Sequence, residues 1–123
     1  MTVEFDLDGE HAENAYGILT SLVTPRPIAL ITTVGEDGVV NAAPFSFFNV
    51  FGSRPPMVVV APGNKKPGVP KDTARNIRRS CEFVVNLVDE AIAEKMVRCA
   101  DGLAAEESEI EHAGFTTVES SVV

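Results

Sequence analysis

In extended form the segment Ile28 to Val34 is largely apolar on both faces, with Ile28, Leu30, Thr32 and Val34 on one and Ala29, Ile31 and Thr33 on the other. A strand of that kind has to be covered on two sides, and no other stretch limits the fold as much. Pro25-Arg26-Pro27 ahead of it stops any helix and sets an extended approach. Gly35-Glu36-Asp37-Gly38 behind it reads as a hairpin connection, and the chain resumes as a second strand at Val39.

That second strand is irregular. It continues to Phe51 through Asn41-Ala42-Ala43-Pro44-Phe45-Ser46-Phe47-Phe48-Asn49-Val50, and Pro44 removes a ladder donor, so the strand bulges, bends or lies at an edge there. Four Phe residues fall within seven positions around that break. Strict alternation puts Phe45, Phe47 and Phe51 on one face, and Phe48 and Val50 with Ser46 on the other. Such a pattern predicts a barrel strand that also meets another chain or a ligand. Arg54-Pro55-Pro56 then turns the chain, and Met57 to Ala61 reads as a third, fully buried strand.

Residues Ala12 to Leu22 read as a short helix or a strand lead-in, with Ala15, Ile18, Leu19 and Leu22 at helical spacing. Pro62 to Pro70 reads as a loop. Asp72 or Thr73 then caps a helix over Ala74 to Ser80, with Ala74 and Ile77 facing inward and Arg78 and Arg79 at the favourable end. Glu82 to Val88 is a fourth strand, and Asp89 caps a second helix carrying Ile92, Met96 and Cys99 on one stripe. An acidic helical stretch over Leu103 to His112 ends at Gly114, and Phe115 to Val118 starts a further strand. Without regular βαβ alternation, this order predicts one domain over residues 1–123, mainly β with inserted helices, built as an antiparallel barrel.

Composition excludes several functions. The longest apolar run, Met57 to Ala61, is far short of the roughly 20 residues of a membrane helix. Glu4, Asp6, Asp8, Glu10 and Glu13 occupy the first fifteen residues without a Lys or Arg, unlike a secretory leader, so a cytoplasmic location is expected. Cys81 and Cys99 are expected to be reduced and buried, and with only His11 and His112 beside them they lack the companions for a zinc site; no metal is expected. The net charge of −8 conceals a basic island: Arg54, Lys65, Lys66, Lys71, Arg75, Arg78 and Arg79 face one acid, Asp72, between Arg54 and Arg79. Acid elsewhere repels a polyanion such as nucleic acid, while a compact phosphate can still be held locally. In the plainer reading Arg78 and Arg79 complement a helix end and Lys65 and Lys66 solvate a loop.

No GxGxxG or GxSxG is present, and Gly63 to Gly68 has only the glycine spacing of a P-loop. Side chains alone therefore offer little catalysis, and no catalytic residue is assigned. What remains is an aromatic, Ser- and Asn-bearing irregular strand and a Lys-Asp-Thr helix start. Alone, the first is a core feature and the second a capped helix. Together they offer a planar ring apolar contact and free backbone groups, and offer a phosphate the helix N-terminal amides, the Thr73 hydroxyl and the Lys71 ammonium. A flat ring system with a phosphate tail is FMN.

Thr24-Pro25-Arg26-Pro27-Ile28-Ala29-Leu30-Ile31, the Gly-Glu-Asp-Gly turn, Asn41 to Asn49, Pro55-Pro56-Met57-Val58, Lys71-Asp72-Thr73-Ala74-Arg75-Asn76-Ile77 and Glu82-Phe83-Val84-Val85-Asn86 together resemble the flavin reductase-like, FMN-binding split-barrel family, which includes flavoredoxins. The resemblance runs from about Gly17 to Gly114. It implies a Greek-key split barrel, a homodimer, and FMN near the dimer interface. It places the isoalloxazine along Ala43, Pro44, Phe45, Ser46, Phe47, Phe48 and Asn49, and the phosphate around Lys71, Asp72, Thr73 and Asn76. Arg26 is a further contact or a structural residue. Family members continue past the point matching Val123 with strands that complete the barrel, so on this resemblance the fold is C-terminally incomplete. The function implied is an oxidoreductase in which NAD(P)H delivers hydride to FMN for transfer to free flavin or a protein acceptor. The alternatives are an FMN electron carrier without nicotinamide turnover and a dimerisation domain that binds no flavin.

Overall fold

A computed structural model describes every residue from Met1 to Val123. In chain order, a 3-10 turn (Ala12–Asn14) leads into α1 (Ala15–Leu22), followed by β1 (Ala29–Val34), β2 (Val40–Phe45), β3 (Phe48–Ser53) and β4 (Pro56–Val60). Next come β5 (Asn64–Lys66), β6 (Val69–Pro70), α2 (Asp72–Ser80), β7 (Val84–Leu87), a second 3-10 turn (Glu90–Ile92), α3 (Ala93–Arg98) and α4 (Glu109–Ala113). β1 is the middle of a three-stranded antiparallel sheet, ordered β2-β1-β7, while β3 pairs with β4 and β5 with β6.

The two-sided strand is covered as its sequence requires. Ala29 and Ile31 pack with Phe45 on one face, joined by Phe48 and Val60 of the β3–β4 hairpin, whereas Leu30 packs with Ala42, Met96, Cys99 and Ala113 on the other. α2 lies on the first face, and α3 and α4 on the second. α2 is attached by polar pins: Asn41 donates to Thr73 Oγ1 and Asn76 to Thr33 Oγ1, each at 3.0 Å and buried. The outer margin of β2 is closed by the start of α4, where Ser108 Oγ donates to the Val40 carbonyl at 2.7 Å and Glu109 accepts from the Ala42 amide at 3.0 Å.

Several expectations are corrected here. The run from Val39 to Phe51 is not one strand, because Ser46 and Phe47 break it and β2 and β3 join different sheets. Period-two counting fails across that break, so Phe45 and Phe48 reach the same core cluster. Pro44 is tolerated because β2 is an edge strand. Met57 to Ala61 is exposed over most of its length rather than fully buried, since only one corner of the hairpin touches the body. Pro62 to Pro70 holds the β5–β6 hairpin. Thr73 and Asn76, not Ala74 and Ile77, are the buried residues of α2, and Lys71 is its N-cap. Cys81 is exposed, and only Cys99 is buried. The acidic stretch is helical only over Glu109–Ala113, and residues 115–118 form no strand.

Only 13 of 123 residues are buried, and the accessible surface is 9027 Å². A folded monomer of this mass exposes about 6,400 Å², so about 2,600 Å² is in excess, part of it in the exposed terminal segments. No helix is long and apolar enough to cross a membrane.

Glu109→Ala leaves the buried Ala42 amide without its acceptor, so we expect a loss of about 1–3 kcal/mol in urea unfolding, with Glu109→Gln losing less because one amide oxygen remains.

Candidate functional site

The break after β2 gathers most of the chemistry-bearing residues. Arg26, expected as a ligand contact or a structural residue, is engaged structurally: its Nη1 donates to the carbonyls of Thr20 at 2.8 Å and Val23 at 2.5 Å, and its Nε to Ser46 Oγ at 3.3 Å. Phe47 stands exposed beside it, with the guanidinium 5.9 Å from the ring centroid and Tyr16 stacked on the ring. Phe45 is buried, and the Lys71 ammonium lies over its ring at 5.4 Å. Phe48 is half-buried against the core, and Asn49 is exposed, its side chain accepting from the Val50 amide at 2.7 Å.

Beside Phe45 a cleft of about 420 Å³ is lined by Asn41, Ala43, Pro44, Lys65, Lys71, Asp72 and Thr73, and across from them by Cys99 to Leu103 and Glu109. The volume lies within the usual range of about 300–1,000 Å³ for small-molecule sites. Lys71 is the N-cap of α2, in extended conformation, and no side chain caps the first-turn amides. Asp72 forms ion pairs with Lys65 and Arg75, which leaves Lys71 as the ammonium without a carboxylate partner. A helix N-terminus with one free cation suits a phosphate. The donor set thus fits FMN at the Lys71 end, while Asp72, Asp101 and Glu109 line the same cleft, Asp72 balanced by Lys65 and Arg75 and Asp101 paired with His112.

The residues expected around a phosphate therefore divide. Lys71, Asp72 and Thr73 line this cleft, but Thr73 is held by Asn41. Asn76 is buried on Thr33 and lines a separate cleft with Arg75 and Arg79. Ala43 and Pro44 join the Lys71 cleft, while Ser46 and Phe47 lie toward α1. Asn41 and Glu109 were not singled out as site residues by the sequence, and Lys65 entered only as a member of the basic island. The only signal for Glu109 was Ala113 four residues on, an apolar residue on the same helical stripe.

Cys99, at the cleft floor, is pushed up to a pKa of about 11 by burial and by the Glu109 and Asp101 carboxylates. Its thiol is therefore unreactive near neutral pH. Because the folded state holds that proton more tightly than the unfolded chain, its contribution to stability is complete below the ordinary thiol pKa. It is lost as pH rises toward about 11. We expect a thiol reagent at pH 8 to modify one cysteine, Cys81, in folded protein and both in denaturant. Unfolding midpoints of Cys99→Ala should fall less steeply than wild type across that alkaline window.

A family model described as the flavin reductase-like domain matches residues 21–123. An uncharacterized protein of Halalkalibacterium halodurans is 51% identical over 108 residues, covering 88% of this chain and 52% of that protein. The crystal structure of nitrilotriacetate monooxygenase component B from Bacillus cereus superposes with a TM-score of 0.92 at 36% identity, over 100% of this chain and 60% of that one. The Pseudomonas fluorescens 2-nitrobenzoate 2-nitroreductase structure gives a TM-score of 0.82 at 40% identity, over 98% and 57%. The chain thus spans little more than half the length of these relatives. The shared fold is the flavin reductase-like split barrel, mainly β with inserted helices.

Proposed function

The chain belongs to the flavin reductase-like family, and on that premise we propose that it binds FMN and acts as an NAD(P)H-dependent flavin oxidoreductase. The observation that carries this reading is the Lys71 ammonium, free of any carboxylate, at the uncapped start of α2 and 5.4 Å over the Phe45 ring. From there one cleft runs along Ala43 and Pro44. Lys71 and the first-turn amides of α2 hold the phosphate, and the Ala43 to Asn49 segment supports the ring. Thr73 and Asn76 act indirectly, by fixing α2 on the hairpin. Bound FMN supplies the chemistry of this proposal, hydride acceptance from NAD(P)H and onward transfer to free flavin or a protein acceptor. The protein supplies position and electrostatics. Two unpaired cysteines suit a reducing, cytoplasmic setting.

A homodimer belongs to the same proposal. Val50 and Phe51 of β3 and Met57, Val58 and Val59 of β4 are exposed together on one hairpin. An apolar hairpin of this kind, on a chain whose total surface exceeds the expected value by about 2,600 Å², supports an interface between copies of the chain. Stable homodimers commonly bury about 2,000–5,000 Å² in total.

Purified protein is expected to bind FMN, seen as quenching of flavin fluorescence. Lys71→Ala should weaken FMN about tenfold, roughly 1.4 kcal/mol, and leave riboflavin unchanged, since only FMN carries the phosphate. Equal losses for the two flavins would refute the phosphate assignment. NAD(P)H oxidation with excess flavin separates a reductase from an electron carrier. In sedimentation equilibrium the mass should be twice 13.1 kDa, and Phe51→Asp should shift it to the monomer.

A further inference from the structure

α1 is loosely anchored to the rest of the fold. None of its residues is buried, and the one element it packs against to any extent is the 3-10 turn before it. Two contacts tether it to the body. Arg26 grips the carbonyls of Thr20 and Val23 while its Nε reaches Ser46, a cation at the helix end where the dipole favours one. The other contact is the stack of Tyr16 on Phe47, with ring centroids 5.7 Å apart and planes at 29°.

The stack decides what can reach Phe47. A third ring sliding between the two needs about 7 Å between the outer centroids, two layers of about 3.5 Å contact. The observed 5.7 Å leaves no such space. Tyr16 and a planar ligand therefore compete for the same face of Phe47. Displacing Tyr16 costs little, because a stacked aromatic pair is a weak contact and Tyr16 is itself 71% exposed. Elements held by so few buried contacts open at low free energy.

We propose that α1 is a movable cover on the ring-binding strip, and that the Tyr16 ring is displaced from Phe47 when the isoalloxazine of a flavin arrives. This rests on the reading of Ala43 to Asn49 as the segment that supports the flavin ring. Tyr16 is a positioning residue in this scheme. It covers one face of Phe47 and has to move before a ring can stack on that face.

The sequence makes the test clean, since Tyr16 is the sole Tyr and there is no Trp. The 123-residue protein carrying ring-¹³C tyrosine gives the Tyr16 ring signals alone. Phe47→Leu should shift those signals in flavin-free protein, and FMN should shift them in the same direction in wild type. By stopped-flow flavin fluorescence, Tyr16→Ala should bind FMN at least threefold faster, while Tyr16→Phe, which keeps the stack, should match wild type. Because no residue of α1 is fully buried, Tyr16→Ala should retain the fold, seen as an unchanged far-UV spectrum and a single cooperative unfolding transition. FMN binding with unmoved ring signals and equal association rates would overturn the cover and leave the flavin site standing. Failure of every variant, wild type included, to bind FMN would overturn both.

Discussion

β1 has to be covered on both faces, and that requirement organises the molecule. Its registers with β2 and β7 place Ala29, Ile31 and Thr33 toward one layer and Leu30 and Thr32 toward the other. Each layer has a different chemistry. The first combines apolar contact from Phe45, Phe48 and Val60 with hydrogen-bonded pins from α2, and the second is an apolar cluster closed by α3 and α4. The cleft beside Lys71 lies at the β2 side, where the start of α2 and the helical C-terminal half approach the same strand. Site and core therefore share a scaffold. The backbone that packs Ala42 inward also presents Ala43 and Pro44 to the cleft.

Much of this was legible because it depended on local chemistry. Ile28 to Val34 declared a strand buried on both faces, Gly35 to Gly38 its hairpin, and Pro44 a bulge, a bend or an edge, of which the structure takes the edge, all from steric and hydrogen-bonding rules acting within a few residues. The Cys99 and Met96 stripe was read correctly from helical spacing. What failed depended on the third dimension. Thr73 and Asn76 look solvent-facing on propensity, yet each finds a polar partner across a packed interface, and no local pattern distinguishes a buried, satisfied Asn from an exposed one. Ser46-Phe47 carries no turn signal of its own, so the break between β2 and β3 stayed invisible, and with it the true faces of the Phe cluster.

The site divides along the same line. That Lys71-Asp72-Thr73 opens a helix could be anticipated, since a lysine followed by an acid and a threonine is a local signal for a helix start. For Arg26 the sequence allowed a contact or a structural residue and could not choose, because the choice is set by carbonyls at Thr20 and Val23 and a hydroxyl at Ser46, twenty residues away. A guanidinium with three such acceptors links the N-terminal helix to the centre of the aromatic segment. That position explains why a Pro-Arg-Pro unit, which looks like a linker, has consequences for the site.

Ser108 and Glu109 give the main sheet a direction. By supplying a hydroxyl to the Val40 carbonyl and a carboxylate to the Ala42 amide, they imitate the neighbour that β2 lacks, using two side chains where a strand would use its backbone. No such counterfeit strand guards β7, whose outer side pairs with no strand. Within residues 1–123 the sheet is therefore closed by side chains on the margin nearest the Lys71 cleft, and its unpaired strand margin is the opposite one. Any β-segment that docks edge to edge, whether a correct companion or an aggregating stranger, meets a chemical preference for the margin remote from the cleft.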